Sequence, residues 1–347
     1  MTTPLRAIAR FCQHRIGWRS IGVALSVAII VAAALVLHRM LNGIDVDDVV
    51  DAIVATHWQS VALATAFVAA GYFTLTLYDL YALRTIGKAD VPYRVAALAG
   101  FTSYSVGHNL GASVFTGSAV RYRVYSAHGL DAIDVAKVCF VAGLTFWLGN
   151  AAVLGLGIAY APGAASAIDR LPAEVNRLAA LLTLVVLVAY VSWVWNGGRV
   201  IGKGAFRVTL PNGPLTLLQI AIGIVDLACC TLAMYVLLPR DPAIDFITLG
   251  VVFVSATLLG FASHSPGGIG VFDAAMLVAL AHFDREDLVA SLLLFRLLYY
   301  ITPFAIALLV LGVRELAVGV GGAKSWIPPR KIRASAPIRT EIDRDHA

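Results

Sequence analysis

Long apolar runs alternate with short charged stretches along the whole chain. They fall at about 20–41, 59–83, 95–120, 135–160, 174–196, 214–238, 245–282 and 288–312. Runs of this length suit α-helices that cross a bilayer, which need about 20 residues. The period-2 segments of a transmembrane β-barrel are absent. The pattern predicts an all-α polytopic membrane protein of about eight helical segments. Two of the eight are not uniform. Segment 95–120 contains S-Y-S-V-G-H-N-L-G-A-S, Ser103 to Ser113, and segment 245–282 contains H-S-P-G-G-I-G-V-F-D-A-A, His264 to Ala275. Polar and glycine-rich backbone inside a bilayer is tolerable only where protein buries it or a polar cavity meets it. Both segments are therefore expected to be broken or re-entrant hairpins.

Composition agrees with this reading: 59% of the 347 residues are hydrophobic and 14% are charged. The four cysteines, Cys12, Cys139, Cys229 and Cys230, make no metal-type spacing and read as small buried thiols. The N-terminal arginines precede an apolar run that is longer than a signal-peptide core and lacks a cleavage site. It is expected to be a retained span.

The net charge of +5 is concentrated in loops and tails, so it speaks to topology rather than to nucleic acid. Arginine and lysine mark cytoplasmic loops. Arg84, Lys88 and Arg94 place one turn inside, and Arg121, Arg123 and Lys137 place the next inside too. Segment 95–120 thus enters and leaves on the cytoplasmic side. The aspartate-rich 42–58 loop belongs outside. Arg199, Lys203 and Arg207, and later Lys324 to Arg339, return the chain to the inside. Segment 245–282 then has both ends outside, and charge does not decide whether it contains a full crossing. The expected location is a bacterial inner membrane, with both termini cytoplasmic.

The order of elements repeats, which divides the chain into two inverted repeats. Residues 1–160 hold the first, with its hairpin at 95–120, and 161–320 hold the second, with its hairpin at 245–282. A basic tail, 321–347, follows. Inverted repeats with broken helices that meet near the midplane are a transporter pattern.

Ionisable and polar groups within the spans are the candidate site, because hydrocarbon makes them costly. Asp79 lies in L-T-L-Y-D-L-Y and Arg84 follows near the inner surface. Ser105, His108, Asn109, Ser113 and Thr116 line the first break, where Gly107, Gly111 and Gly117 allow bends and close backbone approach, or else pack helices together. Arg121 and Arg123, two residues apart, do not share a helix face. One is expected to reach inward and the other to the headgroup plane, and arginine suits bidentate phosphate recognition. In the second break, His264, Pro266, Gly267, Gly268 and Gly270 precede Asp273, which sits early in a half-helix where the dipole favours it. Asp226 and Arg296 are mid-span, with Tyr299 beside the arginine. They are open to pairing with each other as a structural unit, and Asp273 is also placed to counter Arg296. No cofactor or metal motif is present, and no HExxH, Walker loop or G-x-S-x-G appears. The chain is not expected to be an enzyme.

The runs G-A-S-V-F-T-G-S-A-V-R-Y-R-V-Y-S-A-H-G-L (111–130), F-W-L-G (146–149), H-S-P-G-G-I-G-V-F-D-A (264–274) and G-Y-F-T-L-T-L-Y-D-L-Y-A-L-R (71–84) resemble the lysylphosphatidylglycerol synthase/flippase transmembrane family. That family includes the flippase half of the bacterial multiple-peptide-resistance proteins. The likeness covers roughly residues 10–320. It implies a domain that moves an aminoacylated phospholipid between leaflets. By motif it carries functional roles onto Asp79, Arg121, Arg123, the 107–117 and 266–273 loops, and Arg296. At Asp273 the family often has glutamate. Full members append further spans and a soluble aminoacyltransferase domain, so synthesis of the modified lipid is not expected of this chain.

The resulting expectation is a flippase whose partners are membrane phospholipids. Arg121 and Arg123 would hold phosphate, while Asp79, Asp226 and Asp273 would meet a cationic headgroup or balance buried arginines. Asp226 is also a candidate proton carrier. Arg121→Ala is expected to abolish flipping and leave the fold intact. The alternative is a non-transporting membrane subunit that anchors a separate lipid-modifying or glycosyl-transferring enzyme. A carrier for a small polar solute is a third reading. Homo-oligomerisation is left open.

Overall fold

The structure is a computed structural model that describes residues 54, 56–111, 113–204, 206–262 and 266–321. The predicted first span at 20–41 and the basic tail lie outside these residues. The rest is an all-α polytopic membrane protein. Its helices are α1 (Trp58–Thr85), α2 (Tyr93–Leu110), α3 (Ser113–Tyr125), α4 (Ala132–Tyr160), α5 (Pro162–Asp169) and α6 (Ala173–Val194). They continue with α7 (Gly213–Leu237), α8 (Phe246–Ala262), α9 (Val271–Ala279), α10 (Arg285–Arg296) and α11 (Thr302–Gly321). Among the described residues, five rods are long and apolar enough to cross a membrane: α1, α4, α6, α7, and the rod Asp287–Leu316 that joins α10 to α11.

Local sequence sets the ends of these helices. α1 stops at Gly87, whose φ of 78° only glycine adopts freely, while Lys88 N–H donates back to the Leu83 carbonyl at 2.9 Å. Asp131 caps α4 by accepting from Asp134 N–H at 2.7 Å. Asn212 caps α7 by accepting from Leu215 N–H at 3.1 Å. Each satisfies a backbone donor that the first turn leaves unpaired.

The core forms where small residues let helices approach. α1 lies along α7, and Gly71 faces Cys229, Cys230 and the Asp226 carboxyl. α4 crosses α7 at Gly149 and Gly223, where a methyl group on either glycine would fall 2.7 Å from the other's Cα. This is the small-residue packing typical of membrane helices. In contrast, α6 exposes Leu178, Leu182, Val185 and Val188, a surface that suits acyl chains.

Both glycine-rich segments are broken. α2 and α3 pack on each other as a hairpin around Gly111, at φ 69°. An arm of 18 residues rises about 27 Å and one of 13 about 20 Å, so the second arm is short of a 30 Å hydrocarbon core. α8 and α9 likewise pack together across a one-turn 3₁₀ helix, Pro266–Gly268, with Gly267, Gly268 and Gly270 at positive φ. The hairpins touch: α2 packs against the Pro266–Gly268 turn, and the His108 ring meets Phe261 at 5.7 Å.

One expectation needs correction. Gly107 and Gly117 are not bending points. Both are helical, and Gly117 instead admits a close approach of the Ser103 carbonyl, 3.3 Å from where its Cβ would stand. Two features add to the predicted elements: α5 lies between α4 and α6, and the loop after α6 contains a two-stranded antiparallel ladder, Val200–Ile201 with Val208–Thr209. Between α10 and α11 the helix widens into one π turn, Leu297–Ile301.

Candidate functional site

Two arginine–aspartate pairs anchor the polar interior, one at the second arm of each hairpin. In the first, α3 carries Arg121 and α1 carries Asp79, which is fully buried. Arg121 Nε donates to Asp79 Oδ1 at 3.1 Å and Oδ2 at 3.0 Å, and Nη2 donates to Oδ1 at 2.7 Å. Tyr125 OH, one turn beyond Arg121, donates to Oδ2 at 2.7 Å. The Tyr104 ring of α2 lies under the guanidinium, 4.7 Å from Cζ. A buried ion pair is tolerable only with such added hydrogen bonds, because two charges must leave water. The cation–ring contact adds to them.

The second pair joins α9 to α10. Arg296 Nε donates to Asp273 Oδ1 at 2.9 Å and Nη2 donates to Oδ2 at 2.5 Å. Arg296 Nη1 donates to the Gly267 carbonyl at 3.2 Å, and Gly270 N–H donates to Asp273 Oδ2 at 3.0 Å. One arginine therefore holds both the 266–270 turn and the start of the half-helix after it. Asp273 remains a quarter exposed while Arg296 is buried.

Between the pairs, the π turn makes two carbonyls available to other helices. Tyr72 OH donates to the Tyr299 carbonyl at 3.0 Å, and Asn109 Nδ2 donates to the Tyr300 carbonyl at 3.1 Å. π turns often free backbone groups at functional sites in this way. His108 packs among Tyr104, Phe261 and Tyr299, and its Nδ1 is buried with no partner among the described residues.

Asp226 is different. It is buried on α7, and its neighbours are hydroxyls of α1. Tyr78 OH donates to Oδ2 at 3.1 Å, and Thr74 Oγ1 lies 3.1 Å from Oδ1. The considered Asp226–Arg296 pair does not form, because Arg296 is fully engaged by Asp273 and Gly267.

The remaining candidates sit elsewhere. Arg84 is exposed at the end of α1, over the Tyr81 ring at 5.3 Å, and is not part of the buried cluster. Arg123 diverges from Arg121, as a two-residue spacing requires, and donates to Glu315 Oε2 on α11 at 2.6 Å. Ser105 Oγ donates to the Phe101 carbonyl at 2.7 Å, within its own helix, and Thr116 Oγ1 donates to the Gly111 carbonyl at 3.2 Å. Ser113 opens α3. His264 lies outside the described residues. No group of three His, Cys, Asp or Glu that could hold a metal occurs among the described residues.

Sequence reasoning missed Thr74, Tyr78, Tyr104 and Tyr125 as partners. One signal was present for Tyr125, which follows Arg121 by four residues and so shares its face. Also missed was Gln219 on α7, wholly buried with neither end of its amide partnered among the described residues.

No family model matches the chain. It is similar to an uncharacterised protein of Synechocystis, 28% identical over 254 residues that cover 73% of this chain and 79% of the relative. It is similar to the inner membrane protein YbhN of Escherichia coli, 27% identical over 298 residues, 84% of this chain and 92% of YbhN. It is also similar to phosphatidylglycerol lysyltransferase of Staphylococcus aureus, 22% identical over 319 residues that cover 89% of this chain and 36% of that enzyme. Apolar helices, broken hairpins and these matches together make the chain a multi-pass bacterial inner membrane protein, homologous to YbhN and to part of phosphatidylglycerol lysyltransferase, consistent with the synthase/flippase transmembrane family that its motifs resemble.

Proposed function

We propose that the protein moves a phospholipid, with an aminoacylated headgroup as the leading candidate, between leaflets of the inner membrane, and that it is not itself an enzyme. The observation that carries this reading is the pair of buried, bidentate arginine–carboxylate contacts at the two hairpins. A guanidinium fork that fits a carboxylate also fits a phosphate. Asp79 and Asp273 therefore occupy the positions that a lipid phosphate takes when it enters.

The hairpins supply the polar route. Their glycine turns and the π turn present backbone groups, and the acyl chains stay against exposed faces such as that of α6. Exchanging partners, rather than exposing bare charges, lowers the penalty for carrying a charged headgroup through hydrocarbon. The likeness to part of phosphatidylglycerol lysyltransferase supports an aminoacylated headgroup. The basic loops support cytoplasmic termini.

The test is reconstitution into vesicles with a tail-labelled fluorescent phospholipid and an impermeant quencher. Wild-type protein should make the inner-leaflet label accessible. Asp79→Asn/Arg121→Gln should fold without that activity, and wild-type rates in the double variant would refute the role of the pair.

A further inference from the structure

Asp226 is surrounded by groups that do not explain a charged carboxylate. It is 4% exposed, and no Lys, Arg or His among the described residues forms an ion pair with it. The titratable groups around it are Tyr72 and Tyr78 on α1, Tyr104 on α2, Tyr299 in the π turn, and Cys229 and Cys230 on its own helix. All are neutral acids. Arg121 and Asp79, reached from Asp226 through Tyr78 and Tyr104, are paired with each other.

The hydrogen bonds go further. Thr74 has one hydroxyl hydrogen and two oxygens within reach: the Gly71 carbonyl at 2.6 Å and Asp226 Oδ1 at 3.1 Å. A carbonyl only accepts, so the shorter contact takes the threonine hydrogen. Oδ1 then receives at most a share of that hydrogen, whereas a protonated Asp226 would donate a full one to Thr74 Oγ1. An unpaired carboxylate at this depth would also be costly, whereas the neutral acid that donates to Thr74 and accepts from Tyr78 is satisfied on both oxygens.

Asp226 is connected to the first ion pair. The Tyr78 ring meets Tyr104 edge-on at 6.0 Å, and the opposite partner of Tyr104 is the Arg121 guanidinium. Tyr78 also precedes Asp79 directly on α1. A charge that appears at Asp226 is therefore separated from the Arg121–Asp79 pair by two rings.

We propose that Asp226 is a proton-binding site that exchanges its proton for the amine of a lipid headgroup, and so couples lipid movement to proton movement. This rests on the phospholipid reading above. With Asp226 neutral, the buried charges of the two pairs cancel among the described residues, because the two arginines balance Asp79 and Asp273. When an amine-bearing headgroup enters, the Asp226 O–H bond breaks and the proton passes to water that accompanies the headgroup. The carboxylate keeps the electron pair and faces the ammonium. Departure of the headgroup reverses the step, so each amine is exchanged for one proton.

Two measurements test this. In vesicles of phosphatidylglycerol and phosphatidylethanolamine with a trapped pH dye, flipping of tail-labelled phosphatidylethanolamine by wild-type protein should move protons the other way. An imposed pH gradient should change its rate several-fold. Asp226→Asn should give no proton signal, and whatever flipping remains should not respond to the gradient. Wild-type flipping without proton movement overturns the proposal and leaves the flippase reading standing. Absence of flipping of any probe removes that reading instead. Infrared spectroscopy of the purified protein then still decides the site. A protonated-carboxyl C=O band at neutral pH, shifted in D₂O, absent in Asp226→Asn and displaced in Thr74→Val, supports it, and its absence from the wild type overturns it.

Discussion

Removal of Arg121 alone tests the energetics most directly, and the structure changes what should be expected. From the sequence, Arg121→Ala should abolish flipping and spare the fold. Yet Asp79 is fully buried, and among the described residues Arg121 donates three of the four hydrogen bonds that its oxygens accept, the fourth coming from Tyr125. Without Arg121 a buried carboxylate keeps one hydroxyl donor and no cation. Breaking such a pair from one side destabilises by about 3–5 kcal/mol. Arg121→Gln and Asp79→Asn should each show a loss of that size. The double variant replaces two charges by two amides, so its loss should fall short of the sum by about 1–3 kcal/mol. Melting of the purified protein in detergent, followed by a thiol-reactive dye or by loss of the monodisperse peak, gives the three shifts. At roughly 2 °C per kcal/mol, each single variant should melt about 6–10 °C lower. Single variants that melt with the wild type, or shifts that simply add, would refute the reasoning. In that case the pair is not a desolvated unit. The double variant is also the cleaner reagent for transport, since an inactive Arg121→Ala protein is open to explanation by misfolding.

Other consequences follow from the same contacts. Tyr125→Phe removes a hydroxyl that donates to a charged oxygen and should destabilise by about 1.5–3 kcal/mol in the same melting assay, with the pair still formed. Gly223→Ala places a methyl group 2.7 Å from the Gly149 backbone, which no rotamer relieves, and should destabilise by about 1–3 kcal/mol. Gly143→Ala on the same helix α4 meets nothing within 4 Å and should match the wild type or melt slightly higher. Outside the spans, the hydrogen bond to Asp134 at 2.8 Å raises the Lys88 ammonium above its ordinary value. A raised cation stabilises the fold fully below the ordinary lysine range and loses that contribution as pH climbs through the folded value. Lys88→Met should therefore change stability by at most about 1 kcal/mol, discounted for the pair's exposure, with no pH dependence between 6 and 8 and less effect in high salt. A melting series in pH and salt checks it.

What could be read from the chain alone is what local physics fixes. Apolar runs located every described span to within a few residues, because hydrocarbon demands length and composition. Gly111 and the Gly267–Gly270 cluster located both breaks, because positive φ is open to glycine and helix-ending is a local property. The divergence of Arg121 and Arg123 followed from helical periodicity. At Gly107 and Gly117 the sequence left bending and close packing open: a glycine in a membrane helix serves either, and only the neighbouring helix distinguishes them.

Pairing was readable only in part: Asp273 was one of two partners open to Arg296, and the partner of Arg121 was not foreseen. Asp79 meets Arg121 across 42 positions and Arg296 meets Asp273 across 23, while Asp226, equally mid-span, meets only hydroxyls. Nothing in spacing separates these carboxylates. Their partners depend on how far each helix is rotated about its axis, and side chains packed against several helices at once set that rotation. Gly149 on Gly223, the π turn at 297–301 and the threonine beside Asp226 arise in the same way. The sequence by itself determined a membrane protein with two broken hairpins and a set of charges inside it. The tertiary structure decided which of those charges neutralise one another and which carboxyl is left without a cation, because that is settled by contacts between residues far apart in the chain.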